Sequence, residues 1–216
     1  MTDSLVIPPA REVRGTVAAP PSKSATNRAL VLATLCATPV AIVRPLDSYD
    51  TRALSRCLAA MGASIAPSGE GLLVGGPLGV ASGREVALDA GESGTAARFL
   101  AALCAAVPGR FLLTGAARLR ERPMEELLVA LRSAGADIRC TGKPGHLPLA
   151  IAGGALSPGR VRVDASRSSQ FLSALLLAGC SREAAGRNDV WPSRRRGVGA
   201  VVFEFGQSVW EPQRCS

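Results

Sequence analysis

Met61-Gly62-Ala63-Ser64-Ile65 comes back as Ala134-Gly135-Ala136-Asp137-Ile138, and the two glycines stand 73 residues apart. Each glycine follows an apolar helical run, the place of a helix-ending residue in the left-handed conformation. The same order of elements extends outward from both copies. Before Gly62 the pattern predicts a helix at 27–35, a strand at 40–43 and a helix at 51–61 capped by Asp47-Ser48-Tyr49-Asp50. After it come short strands at 63–66 and 71–74, then Gly75-Gly76. Before Gly135 it predicts a strand at 86–88, a helix at 95–107, a strand at 110–114 and a helix ending at Ser133 with Pro123 in its first turn. Strands at 136–140 and 147–151 follow, then Gly153-Gly154. The unit is βαβαββ, present twice and begun a third time with a strand at 160–164 and a helix at 168–178. The expected fold class is α/β (α+β), a lobe of repeated units with the third incomplete. Residues 1–20 read as an arm with a short strand at 11–17, and residues 21–179 as the lobe.

Three helix starts share one plan. Pro20-Pro21-Ser22-Lys23-Ser24-Ala25-Thr26-Asn27-Arg28 begins with prolines that force an extended approach, then gives hydroxyls that can cap a helix, a lysine, and an arginine one turn on. Gly91-Glu92-Ser93-Gly94-Thr95-Ala96-Ala97-Arg98 and Asp164-Ala165-Ser166-Arg167-Ser168-Ser169-Gln170 repeat it. A helix N-terminus carries partial positive charge and free N–H donors, and a guanidinium fork grips carboxylate or phosphate. Taken alone, each is also an ordinary capped surface helix. Together they point to one anion site built from several repeats.

Composition agrees. The 216 residues are 47% hydrophobic, enough for a proper core, and the formal charge of +8 suits anionic partners. The charges are scattered and only 4% of residues are aromatic, which argues against a nucleic-acid surface. No pair among Cys36, Cys57, Cys104, Cys140, Cys180 and Cys215 has metal-ligand or redox spacing, and those in apolar helical runs read as small core hydrophobes. His146 falls in a turn-like stretch without a partner ligand. There is no signal-peptide pattern at the start and no apolar run of membrane-spanning length, so a cytoplasmic location is expected.

The character changes at Cys180. Trp191, Trp210, Phe203, Phe205 and the run Arg194-Arg195-Arg196 all lie beyond it, without the order of the earlier units. Residues 180–216 therefore read as an unrelated, disordered tail, from a frame change or a mis-joined coding sequence, the alternative being a divergent third unit.

Pro21-Ser22-Lys23-Ser24 with Asn27-Arg28, Gly94-Thr95 with Arg98, Arg120-Glu121-Arg122-Pro123, and Ser168-Ser169-Gln170-Phe171-Leu172 occur in that order. Together they resemble the 5-enolpyruvylshikimate-3-phosphate synthases (3-phosphoshikimate 1-carboxyvinyltransferases) of the shikimate pathway, over about Pro8 to Gly179. The resemblance implies two lobes of three βαβαββ units each, closing over substrates held between them, in a monomer about twice this length. It implies transfer of the enolpyruvyl group of phosphoenolpyruvate to the 5-hydroxyl of shikimate 3-phosphate, with phosphate released and no metal or organic cofactor. By motif, Lys23, Ser24, Arg28, Ser168, Ser169 and Gln170 would hold shikimate 3-phosphate. Lys23, Gly94, Arg122 and Gln170 would hold phosphoenolpyruvate.

Two departures stand out. Glu92 takes the place where many members carry Asn. The general acid/base carboxylates belong to the second lobe, no stretch here matches them, and the expectation is a truncated form that is weakly active or inactive. The alternatives are a relative of the UDP-N-acetylglucosamine enolpyruvyl transferase and a non-catalytic anion-binding remnant.

Overall fold

The computed structural model describes residues 14–17, 19–80, 84–157, 161–186, 201–205 and 208–209. The first unit holds α1 (Lys23–Thr34), β1 (Val40–Val43), α2 (Tyr49–Ala60), β2 (Ser64–Ser68) and β3 (Gly71–Gly75). The second holds β4 (Glu85–Asp89), α3 (Gly94–Ala106), β5 (Gly109–Thr114), the short α4 (Ala117–Arg120), α5 (Glu125–Ser133), β6 (Asp137–Cys140) and β7 (Leu149–Gly153). Then come β8 (Val161–Asp164), α6 (Ser169–Gly186), β9 (Val201–Phe205) and β10 (Ser208–Val209).

The repeat is visible in the strand order. In the first sheet, β1-β3-β2, β3 runs antiparallel to both neighbours. In the second, β4-β5-β7-β6, β7 does the same between β5 and β6. The second sheet adds β4, parallel to β5, with α3 as the crossover between them. Gly62 and Gly135 end their helices at φ +106 and +93. A Cβ at Gly62 would lie 3.2 Å from the Gly79 carbonyl oxygen and one at Gly135 3.0 Å from that of Ala155, so both the turn and the returning loop favour glycine.

Helix α3 is the centre of the lobe. It is apolar nearly all round, with Phe99, Leu100, Leu103 and Cys104 fully buried, the signature of a helix packed on every side. Its alanines 96, 97, 101, 102 and 105 let α6 and the sheet come close. Each fully buried Leu or Phe here contributes about 1.5–3 kcal/mol through burial. Cys57 and Cys104 are core residues, and burial pushes the Cys57 thiol up to about 11; Cys180 is exposed.

Two expectations change. The arm was expected to hold a strand at 11–17, but residues 14–17 are exposed and outside any sheet, since no described strand lies alongside to take their backbone bonds; residues 11–13 lie outside the described set. The boundary expected at residue 180 falls inside α6, which runs on to Gly186. Ser181-Arg182-Glu183-Ala184-Ala185 contains good helix formers and no breaker, so the change of composition does not stop the helix. Beyond it β9 pairs parallel with β8 across the α6 crossover, the arrangement of β4, α3 and β5. Third-unit order thus continues past residue 180; the rest of the expected tail, at 187–200, 206–207 and 210–216, lies outside the described residues.

Candidate anion-binding site

Helix α1 starts at Ser22, whose Oγ accepts from the Ala25 N–H at 3.3 Å. Lys23 is the first helical residue, and its ammonium donates to Asp50 Oδ2 of α2 at 2.7 Å. The pair is wet, with side chains 53% and 22% exposed, and so contributes under about 1 kcal/mol to stability. One turn on, Arg28 Nη1 donates to the Ser24 carbonyl at 3.1 Å and to the Ser24 hydroxyl. Its Nη2 donates to Ser173 Oγ of α6 at 2.8 Å, and the guanidinium lies 5.5 Å from the centre of the Phe99 ring. Arg28 therefore joins α1, α3 and α6.

Helix α3 starts at the buried Ser93, which caps it by accepting from the Ala96 N–H at 3.2 Å. Gly94 follows. A Cβ placed there would stand 3.2 Å from Nη1 of Arg122 and 3.2 Å from Nη1 of Arg98, so two guanidiniums converge over the first residue of the helix. Arg122 comes from the turn after α4. The start of α4 is docked on the approach to α3 by the Ala116 N–H donating to the Gly91 carbonyl at 2.7 Å. Arg98 Nη1 donates to Gln170 Oε1 at 2.5 Å, and its guanidinium lies 5.2 Å from the centre of the Phe171 ring. Burial first, then the charge of Arg122, pulls Arg98 below its ordinary pKa, while the Glu126 carboxylate works the other way. An anion between the two guanidiniums would relieve that repulsion and meet the N–H groups at the start of α3.

The approach to α6 is a built turn. Asp164 Oδ1 accepts from the Ser166 N–H at 2.9 Å, and Ser168 Oγ accepts from the Gln170 N–H at 3.3 Å. Hydrogen bonds from Ser166 hold the Asp164 carboxyl below its ordinary pKa. Ser169 is exposed, and its carbonyl accepts from Ser173 Oγ at 3.2 Å.

Of the expected residues, Ser24 and Arg28 thus meet α6 through Ser173, and Gly94 and Arg122 meet it through Arg98 and Gln170. Lys23 is instead engaged by Asp50, and Glu92 is exposed. Asp50 read from the sequence only as a cap residue, and Ser173, Glu126 and Arg167 were not singled out. Their partners are distant in sequence, so no spacing announces them. The one available signal was Arg98, which repeats the place of Arg28 at the second helix start. Among the described residues no group of His, Cys, Asp and Glu is placed to hold a metal ion, and no helix is long and apolar enough to cross a membrane.

Repeated α/β units whose hydroxyl-rich, basic helix starts are tied together define an enolpyruvyl-transferase-type lobe. The family model described as EPSP synthase (3-phosphoshikimate 1-carboxyvinyltransferase) matches residues 7–187, and the chain belongs to that family. It is 44% identical over 190 residues to a 3-phosphoshikimate 1-carboxyvinyltransferase of Opitutus terrae, covering 86% of this chain and 44% of the relative. It is 43% identical over 175 residues to that of Bordetella petrii, covering 81% of this chain and 39% of the relative. The solved EPSP synthase of Acinetobacter baumannii superposes with a TM-score of 0.67 at 30% identity, over 76% of this chain and 38% of that one. The chain spans less than half the length of these relatives.

Proposed function

We propose that this chain supplies one substrate-binding lobe for transfer of the enolpyruvyl group of phosphoenolpyruvate to the 5-hydroxyl of shikimate 3-phosphate. The observation that carries the reading is the pair of guanidiniums, Arg98 and Arg122, poised over Gly94, with Arg98 bound to Gln170. Phosphoenolpyruvate takes the Gly94 end, held by Arg122 and the start of α3. Shikimate 3-phosphate takes the α6 end, its phosphate on Ser168 and Ser169, with Ser24 and Arg28 on its other side. Gln170 stands between the two, and Lys23 reaches both once a phosphate outcompetes Asp50. In the reaction the hydroxyl gives up its proton as its oxygen bonds to the enol carbon, while the methylene carbon takes a proton and becomes a methyl; that methyl then loses a proton as the C–O bond to phosphate breaks, which restores the C=C bond and releases phosphate. Packed cations hold two anions at reacting distance and stabilise the charge that develops. The reading takes the protein to work in the cytoplasm as a monomer, without nucleic-acid, membrane or cofactor partners, and assigns the proton-transferring carboxylates to the second lobe of the full-length fold.

Titration calorimetry with shikimate 3-phosphate, and phosphate release with both substrates, test this on the purified chain. Weak binding without release is expected, since the loss of a proton-transfer group alone typically costs ~10²–10⁴-fold. Release at roughly 1 s⁻¹ or faster would overturn the assignment of chemistry to the second lobe. Binding unchanged by Lys23→Ala with Arg28→Ala would overturn the site.

A further inference from the structure

Arg167 lies between Ser166, which is bound to Asp164, and Ser168, which caps α6. Its guanidinium reaches back across 41 residues to α5, Nη1 donating to Glu126 Oε1 at 3.0 Å. The side chain of Arg167 is 64% exposed and that of Glu126 only 18%. The second carboxylate oxygen, Glu126 Oε2, is buried and has no hydrogen-bond partner. Glu126 stands in the first turn of α5, four residues after Arg122. Its charge also acts on Arg98. One carboxylate is therefore bonded to the turn that carries Ser168, Ser169 and Gln170 and lies near enough to Arg98 for its charge to be felt there.

We propose that Glu126 is a positioning residue: by holding Arg167 it fixes the 168–170 turn at a set spacing from Arg98 and Arg122, so that two anions sit side by side. This rests on the reading of the site as the seat of two anionic substrates. The physics favours a strut over a surface ion pair. Glu126 is mostly buried, and a carboxylate out of water is costly unless paired, so the pull on Arg167 is stronger than between two solvated groups. Arg167 without Glu126 would be a loose cation in the turn, free to swing toward a bound phosphate and carry Ser168 with it. Glu126 follows Arg122 by four residues, at the start of the helix that the Arg122 turn leads into, so a shift of the Arg122 segment would be passed to the α6 entry through this bond.

The competing explanation is local. Glu126 in the first turn of α5 also complements the helix dipole, and that role has no need of Arg167. A double-mutant cycle separates the two, using Glu126→Met, Arg167→Met and both together in the full chain. The first readout is hydrogen exchange at the amides of Ser168, Gln170 and Phe171, with the α5 amides as internal reference. The second is shikimate 3-phosphate affinity by calorimetry. Each single change should speed exchange at 168–171 and weaken binding by about threefold to tenfold, and the double should be no worse than either. Additive effects, or unchanged exchange at 168–171 with faster exchange confined to α5, would overturn the proposal whether or not ligand binds. Coupled exchange in a wild-type chain that binds no shikimate 3-phosphate would uphold the strut and overturn the substrate reading instead.

Discussion

The Arg98 guanidinium lies 5.2 Å from the centre of the Phe171 ring while its Nη1 donates to Gln170, the residue before that ring. Arg28 repeats the move one unit earlier, resting 5.5 Å from the ring of Phe99, the residue after Arg98. The first two basic helix starts are thus each seated on an aromatic ring of the next unit. Such contacts contribute about 0.5–2 kcal/mol, and here they also set where each fork points.

Arg98→Lys should keep the charge and lose the fork. Lysine cannot donate to Gln170 and lie flat on Phe171 at once. The stabilisation of the chain by added phosphate, read as a shift in thermal midpoint, should fall by more than half. A shift equal to wild type would mean that charge alone, not the fork, builds the site.

Gly94→Ala should fold. The position is helical, where replacing Gly by Ala gains about 0.5–1 kcal/mol, and the atoms it would meet are the ends of flexible side chains. The new methyl would displace both guanidiniums from the α3 start, so phosphoenolpyruvate affinity by calorimetry should drop while urea stability holds or rises. Lost stability with unchanged affinity would reverse the argument.

Phe99→Ala should cost about 3–5 kcal/mol in urea unfolding, because Phe99 is fully buried in the central helix. It also removes the ring under Arg28. Phe99→Leu keeps most of the core volume, and should weaken shikimate 3-phosphate binding more than it weakens the fold.

Asp164 gives a pH prediction. Its carboxyl pKa is lowered from 3.8 in the folded chain by the bonds from Ser166, so its contribution to stability is present above that ordinary value and lost as pH falls through the depressed one. The thermal midpoint should therefore be insensitive to Asp164→Asn in its pH slope above about pH 5, and the variant should show a shallower acid loss below it. Equal acid slopes in both proteins would count against the turn.

Much of the fold was legible because its signals are local. Ser48, within the stretch expected to cap α2, does so, in a capping box that Thr51 completes, and Gly62 and Gly135 end their helices as the repeat required. Strand β1 falls on the expected residues 40–43. The site was legible only as a list of basic helix starts. That Arg28 reaches Ser173, and Glu126 reaches Arg167, depends on how units pack, which no periodicity within a unit encodes. Asn27 shows the same limit: a polar residue beside Arg28 in the sequence, it is fully buried in α1. The expected boundary at residue 180 missed the end of α6 for a different reason. A shift in composition was taken as a structural boundary, whereas a helix stops only where its backbone or packing makes it stop.

The two sheets differ in one respect that bears on handling the protein. β5 has β4 along its outer edge, but among the described residues the equivalent edge of β1 has no neighbour, and Val43 on that strand is 71% exposed. A bare strand edge beside an apolar side chain is a template for joining chains into oligomers and aggregates. Concentrated solutions should therefore self-associate through residues 40–43. Val43→Lys is the substitution that would make the protein tractable for the calorimetry and exchange measurements.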